Sequence, residues 1–287
     1  MELQEYHTLF EVEDHHFWFR SLHEHVLTCL KRYLSQLRAS SPGRPCHPER
    51  SEPKASVDEG SAGRPSAQHD TITILDAGCG TGGLAAKLMT LGEVEAIDSS
   101  NLAIEYCKKR GIQNAHQADL NTLTLPENTY DAITCIDVLY HREIHDPASV
   151  LRMFQKALKP GGVLFLHLPA YESLRSLHDT RVHTGRRFRM HEAKKLLREA
   201  GLEMTHASYR LMFLFLPIVI MRHASSSLRS AQHDRTSDLQ RIHSLINTPL
   251  LWLSRMENAL SRMLPLPFGV SLYAVAKKPH YSITPLL

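Results

Sequence analysis

Short apolar runs alternate with segments of helical periodicity through the middle of this 287-residue chain. The runs lie near residues 72–77, 94–98, 113–118, 131–138 and 162–169. Continuous apolar runs of this length are typical of strands that are buried on both faces of a parallel sheet. Because helical segments separate them, the pattern predicts a doubly wound α/β fold with helices on both faces.

Weaker signals follow the last of these runs. In order, they predict a helix at 190–200, a strand at 203–210, a helical pair or bent helix at 239–264 and a final strand at 269–276. Between them, residues 211–221 are strongly apolar and contain Pro217. This run is too short to span a bilayer, although it could rest on a membrane surface.

Two polar segments divide the chain into regions. Residues 1–39 have apolar positions at roughly helical spacing and are predicted to form a helical cap. Residues 40–70 are rich in Pro, Gly and Ser and bury too little surface to offset the entropy of ordering, so they are predicted to be a flexible low-complexity insert. A second flexible insert is predicted near 223–238, which shares the letters SAQHD with the first and resembles the same interspersed repeat. The main domain is predicted at 71–287.

Charge and cysteine content narrow the range of functions. Charged residues make up 22% of the chain and the net charge is +3, so we expect no nucleic-acid partner. The five cysteines lack metal-ligand spacing, and Cys79, Cys107 and Cys135 are expected to be buried thiols in a reducing compartment. The first residues have neither the basic start nor the apolar core of a signal peptide, which predicts a cytoplasmic protein.

The sequence ITILDAGCGTGG, residues 72–83, carries the first functional signal. A strand that runs into a glycine turn and then a helix lets the backbone approach a ligand closely. Gly78, Gly80 and Gly83 have the spacing of a dinucleotide site, and Asp98 follows where a ribose carboxylate belongs. A nicotinamide-dependent oxidoreductase is therefore one interpretation.

Asp76 favours another interpretation. A carboxylate two residues before the first glycine would repel a pyrophosphate, whereas it would attract a cofactor with a positively charged end. Three later segments agree with such a site: NAHQADL at 114–120, YDAITCIDVLYH at 130–141 and LKPGGVLFLHL at 158–168.

Together these ordered motifs resemble those of the class I S-adenosylmethionine-dependent methyltransferases, over about residues 72–209. The resemblance implies a Rossmann-like, mostly parallel seven-stranded sheet with an antiparallel last strand, and S-adenosylmethionine as the cofactor. It also implies that Asp98 binds the ribose hydroxyls and that Asp119 and Leu120 frame the adenine. The full set of expected cofactor contacts is Asp76, Ala77, Gly78, Cys79, Gly80, Gly82, Asp98, Ser99, Asp119, Leu120, Asp137 and Leu139.

Two histidines are candidates for catalysis. His141 follows the fourth strand, at the sheet edge where open α/β proteins bind ligands, and could act as a general base or order a loop. His178 lies in the loop after the fifth strand. A metal site at His178, Asp179 and His183 is not expected, because chance clusters arise among 19 histidines.

Candidate contacts to the methyl acceptor come from two segments. DHHFWFR contributes Trp18 and Arg20 as part of a lid, and the arginine-rich loop after strand five contributes Tyr171, Arg186 and Arg187. Guanidinium groups in such a loop would suit a phosphate or carboxylate on the acceptor. An ordinary solvated loop is an equal alternative.

The sequence therefore predicts a methyltransferase that acts on a small or lipid-linked acceptor, more often at oxygen than elsewhere. The lipid alternative includes a weak membrane contact through 211–221 and a location on the inner face of the membrane. A non-catalytic cofactor-binding adaptor at the membrane surface is a third interpretation, because the two repeat-like inserts could reflect relaxed constraint. The oligomeric state does not follow from the sequence.

Overall fold

The computed structural model describes residues 2–40, 71–227 and 243–280. The predicted insert at 40–70 lies outside the described residues except for Ser40, which ends a helix. Most of the second predicted insert also lies outside them, while residues 223–227 are the end of another helix. The predicted division into regions therefore stays a prediction.

The described residues form one seven-stranded sheet with helices around it. The strands are β1 (Thr73–Ala77), β2 (Glu93–Asp98), β3 (Ala115–Gln117), β4 (Tyr130–Ile136), β5 (Leu158–Pro169), β6 (Glu203–Arg210) and β7 (Ser271–Lys277). The helices are α1 (Leu3–Val12), α2 (Phe17–Ser40), α3 (Gly83–Leu88), α4 (Asn101–Lys109), α5 (Pro147–Ala157), α6 (Leu177–Arg181), α7 (Met190–Glu199), α8 (Met212–Ser227) and α9 (Ser244–Ser261).

The sheet has the order β3-β2-β1-β4-β5-β7-β6. Strands β1 to β5 pair in parallel, and β7 lies antiparallel between β5 and β6. This arrangement confirms the predicted fold, including the antiparallel last strand. The strand bounds differ most in β5, which begins at Leu158, before the two glycines rather than at residue 162.

Both faces of the sheet are covered by apolar side chains. On one face α2 buries Leu22, Val26 and Leu30, which recur every four residues and so share one side of the helix. On the other face α5 buries Leu151 and Phe154. Each of these side chains contributes about 1.5–3 kcal/mol of transfer free energy on burial. Helix α2 is thus one layer of the fold.

The carboxyl ends of β1, β2 and β4 meet at one edge of the sheet, and α1 lies across this edge. Its Tyr6 packs with Ala103 and Tyr106 of α4. The apolar run at 211–221 is the greater part of α8. None of the helices in the three described ranges is long and apolar enough to cross a membrane.

Candidate active site

A cavity of about 880 Å³ opens at this edge of the sheet. Its volume lies within the range of sites that enclose a small molecule. At one end it is lined by Asp76, Gly78, Gly80 and Asp98, which we call the glycine-loop end. Trp18, His141 and Arg187 line the other part, which we call the histidine end, and Asp137 lines the cavity as well.

The turn after β1 needs glycine for conformation and for space. Gly78 has φ of +80°, in the left-handed region, and a Cβ there would overlap the side chain of Val138. Its backbone N–H and that of Cys79 both donate to the carbonyl of Ile97, at 2.8 and 2.9 Å. Two backbone bonds therefore tie the turn to the end of β2.

Asp98 ends β2 and organises the turn from the other side. Its Oδ2 accepts the backbone N–H of Gly80 at 3.0 Å, and its Oδ1 accepts that of Ser100 at 2.9 Å. The hydroxyl of Tyr6 also donates to Oδ1, at 3.3 Å. A carboxylate offers about four acceptor positions, so one remains for a ligand hydroxyl.

Asp76 is a buried carboxylate with one unsatisfied oxygen. Its Oδ1 accepts the hydroxyl of Thr134 at 2.7 Å, whereas its Oδ2 has no hydrogen-bond partner. Burial raises the pKa of Asp76 to about 7, and the charges of Asp98 and Glu13 add to this effect. A ligand ammonium would satisfy Oδ2 and favour the ionised form, so the site fits the cationic end of S-adenosylmethionine.

The segment after α1 closes the glycine-loop end. Glu13 accepts hydrogen bonds from Thr81 and, at 2.7 Å, from Arg110, while Asp14 accepts a second bond from Arg110 at 2.6 Å. Arg110 is thus clamped by two carboxylates of the segment between α1 and α2. Tyr6 and Glu13 do not stand out in the sequence, because no local pattern relates them to partners 68 to 97 positions later.

Asp119 lines the cavity beside the glycine-loop end, together with Ser99 and Leu120. Its Oδ1 accepts the backbone N–H of Asn121 at 2.9 Å and the side-chain N–H of the same residue at 2.7 Å. The remaining oxygen is not used in these bonds. An exposed carboxylate at this place can accept an amino group of a ligand.

Asp137 turns the chain out of β4 with φ of +54°. Its Oδ1 lies 3.0 Å from Nδ1 of His167, and Nε2 of His167 lies 3.0 Å from the hydroxyl of Ser271. His167 is fully buried, so it links strands β4, β5 and β7 below the cavity. The sequence showed His167 only as one polar residue in a buried strand.

His141 lies in the cavity wall, stacked on Tyr140 at 4.3 Å between ring centroids. Its Nδ1 is buried and has no hydrogen-bond partner. Burial lowers the pKa of His141 below its ordinary value, which keeps the ring neutral. His178 belongs to α6, but its side chain lies outside the described residues.

The arginine-rich loop is held by internal contacts. Arg187 donates two bonds to Asp179, both at 3.0 Å, and one to the carbonyl of Ala170 at 2.9 Å. Although burial opposes the charge, Arg187 holds the pKa of Asp179 below its usual value. Arg186 donates to the carbonyl of Ile144 at 2.8 Å. Both guanidinium groups are therefore engaged in holding the loop to its surroundings.

The structure brings most, but not all, of the predicted site residues to the cavity. Those that line it are Trp18, Asp76, Gly78, Cys79, Gly80, Asp98, Ser99, Asp119, Leu120, Asp137, His141 and Arg187. Those that do not are Arg20, Ala77, Gly82, Leu139, Tyr171 and Arg186. Tyr171 instead stacks on Tyr209, at 5.2 Å between ring centroids. Within the described ranges no group of three or more His, Cys, Asp or Glu is arranged to hold a metal ion.

Comparisons with known proteins bear on this site. The family described as the methyltransferase domain matches residues 44–207, which is more than half of the chain. A ubiquinone biosynthesis O-methyltransferase from Xanthomonas oryzae is 33% identical over 100 residues, covering 32% of this chain and 41% of the relative. One from Marinobacter nauticus is 31% identical over 153 residues, covering 45% and 63%. The chain thus spans less than two thirds of the length of these relatives.

A solved structure is similar in fold. It is the complex between the Haloferax volcanii Trm112 methyltransferase activator and a protein described as a methyltransferase, with a TM-score of 0.50 and 18% identity. The match covers 75% of this chain and 85% of that chain.

Proposed function

This chain belongs to the class I S-adenosylmethionine-dependent methyltransferase family, and we propose that it transfers a methyl group to an oxygen of a small or lipid-linked acceptor. Its cofactor is S-adenosylmethionine, as the sequence predicts. The observation that carries the proposal is at the glycine-loop end of the cavity. There Oδ2 of Asp76 has no hydrogen-bond partner, and a positively charged donor group on the ligand would satisfy it. The names of the curated relatives support oxygen as the acceptor atom.

In this proposal the glycine-loop end holds the cofactor. Asp76 binds the ammonium of its methionine part, Asp98 accepts a ribose hydroxyl and Asp119 accepts the adenine amino group. The bound cofactor would supply an electrophilic methyl group attached to a sulfonium. Loss of the methyl group converts the sulfonium into a neutral thioether. The chain must therefore align two reactants more than it must stabilise new charge.

The histidine end then receives the acceptor. A hydroxyl loses its proton as the methyl is transferred, and His141 takes that proton on Nδ1, which is neutral and has no other partner. Trp18, Phe19 and Val270 provide an apolar wall for the body of the acceptor. The apolar lining supports an acceptor with an apolar body, and the predicted membrane contact through 211–221 is part of the lipid-linked form of the proposal.

Parallel calorimetric titrations with S-adenosylmethionine, S-adenosylhomocysteine and NADH test the cofactor part. We expect micromolar binding of the first two and none of NADH, and binding of NADH alone would refute the proposal.

A screen of candidate acceptors, with a labelled methyl group on the cofactor, tests the acceptor part. His141→Asn should then lower turnover by about 100-fold or more while leaving cofactor affinity unchanged, and equal turnover in the variant would remove His141 from the mechanism.

A further inference from the structure

Three side chains, those of Asp137, His167 and Ser271, form a continuous hydrogen-bonded chain to which the proposed methyl transfer assigns no step. Oδ1 of Asp137 lies 3.0 Å from Nδ1 of His167, and Nε2 of His167 lies 3.0 Å from Oγ of Ser271. Both distances are those of hydrogen bonds. A hydroxyl that bonds a histidine, which is itself oriented by a third group, is the arrangement that activates a nucleophile.

The chemistry of the partners decides the direction of both hydrogen bonds. A carboxylate only accepts, so Nδ1 of a neutral His167 carries the hydrogen and donates it to Asp137. Nε2 is then an acceptor, and the hydroxyl of Ser271 donates to it. His167 is fully buried, and each of its ring nitrogens has a protein partner. The lone pairs of Oγ on Ser271 therefore remain available to attack a ligand.

Ser271 reaches the cavity, whereas His167 lies behind it. Ser271 lines the cavity together with Val270 and Trp18, which belong to its apolar wall. The ring of Trp18 meets that of His167 edge-on, at 6.5 Å between ring centroids. Because only 1% of Ser271 is exposed, a substrate must be small enough to reach it through the cavity. An apolar group packed on Trp18 would bring the polar part of such a substrate beside Ser271.

Buried charges on both sides of Ser271 match the ions that a nucleophilic attack creates. Arg210 lies directly opposite Ser271 in the pairing of β6 with β7, so the two side chains lie on the same face of the sheet. It is fully buried, and its Nη1 has no hydrogen-bond partner among the described residues. Its positive charge favours negative charge on an oxygen near Ser271, while Asp137 stabilises the imidazolium of His167.

We propose that Ser271 is a nucleophile that hydrolyses small carboxylic esters in this cavity, as a second activity of the chain. Oγ attacks the ester carbonyl and forms a new C–O bond while its proton passes to Nε2 of His167. The bond to the alcohol then breaks, and the alcohol leaves with that proton. Water attacks the acyl-serine and gives a proton to His167, which returns it to Oγ as the carboxylic acid is released.

The test uses the full chain and two small reagents. p-Nitrophenyl acetate reports ester hydrolysis, and an alkyl fluorophosphonate labels an activated serine with loss of fluoride. Because other side chains also cleave this ester slowly, we expect release at least about tenfold above that of Ser271→Ala. We also expect the phosphonyl adduct on Ser271, identified by peptide mass spectrometry. Release that Ser271→Ala retains in full, or an adduct that is absent from Ser271, would overturn the proposal.

Two further variants separate the triad from the presence of a serine alone. Asp137→Asn keeps the serine but no longer stabilises the imidazolium of His167, so ester release should fall about 100-fold or more. Ser35→Ala removes a hydroxyl on α2 that donates to the carbonyl of Arg32 at 2.8 Å, and should leave release and labelling unchanged. Equal rates in the wild type and Asp137→Asn would exclude the triad.

This second activity does not rest on the proposed function, and calorimetry of the wild-type protein with S-adenosylmethionine keeps the two apart. Ester release without cofactor binding would contradict the proposed function alone. Cofactor binding without ester release and without an adduct on Ser271 would overturn the second activity alone.

Discussion

The two ends of the cavity are built in different ways. At the glycine-loop end, the residues that line the cavity come from a short stretch of chain, Asp76 to Asp98, and are joined mostly through backbone bonds. At the histidine end, Trp18, His141 and Arg187 come from three distant segments. The first end depends on turn conformation, and the second depends on tertiary packing and buried charge. Changes at the first should therefore alter ligand affinity, and changes at the second should alter stability.

The largest effect is expected at the histidine end. Arg187→Ala leaves the carboxylate of Asp179 buried without its charged partner, because only 6% and 3% of the two side chains are exposed. We expect the free energy of unfolding to fall by about 3–5 kcal/mol. Urea denaturation of the free protein measures this.

Arg186→Ala is the matched control, since this arginine makes one bond to a backbone carbonyl and is half-buried. Its loss should cost about 1 kcal/mol. If both variants lost the same small amount, Arg187 would not be holding the loop, and its guanidinium would again be a candidate for acceptor binding.

At the glycine-loop end, the addition of a single methyl group should lower the affinity for the cofactor. Gly78→Ala adds a Cβ where Val138 already lies, at a residue with φ of +80°. Gly111→Ala adds one at almost the same φ, +83°, with nothing within 4 Å. Strain of about 1–3 kcal/mol is common to both, so the difference isolates the collision. We expect cofactor affinity to fall about 100-fold for Gly78→Ala and to stay constant for Gly111→Ala, as measured by calorimetry.

Asp98→Asn removes the charge from the same end with little change of shape. Asp98 accepts the N–H groups of Gly80 and Ser100 on different oxygens, so the amide can keep one of these two bonds while its NH2 opposes the other donor. A lost charge-assisted bond to a ribose hydroxyl should weaken cofactor binding by about 2 kcal/mol, or roughly 30-fold. Unchanged affinity would exclude Asp98 from the ribose site.

The contrast also explains what the sequence could predict. Gly78, Asp98 and the alternation of strands and helices follow local rules of turns and buried runs, and the structure has them where those rules predict. The contact between Tyr6 and Asp98 joins residues 92 positions apart, so no local pattern reveals it. For Arg186 and Arg187 the sequence indicates more than the structure has. The charge of an arginine in a loop does not reveal whether it pairs with a carboxylate of the protein, as Arg187 does with Asp179, or binds a ligand.

The pH dependence of binding should follow Asp76. Burial raises its pKa to about 7 in the free protein, whereas a bound ammonium requires the carboxylate. Below pH 7 binding must expel a proton, so cofactor affinity should fall with decreasing pH, approaching about tenfold per pH unit. Above pH 7 it should be constant. Calorimetry across this pH range measures how cofactor affinity changes with pH, and Asp76→Asn should bind the cofactor weakly at every pH. If the affinity of the wild-type protein did not change with pH, Asp76 would not be the group that binds the ammonium.

The smallest effect tests whether α1 contributes to the glycine-loop end. Tyr6→Phe removes one hydroxyl, whose bond to Asp98 is 3.3 Å long, and keeps the ring against α4. We expect the cofactor to bind about twofold to fivefold more weakly through faster dissociation, because α1 loses one bond that keeps it closed. Tyr130→Phe, which removes a hydroxyl bonded to Glu95 at 2.6 Å, should leave affinity unchanged. Tighter binding by Tyr6→Phe would mean that the hydroxyl competes with the ribose for Asp98, and α1 would then oppose the cofactor rather than retain it.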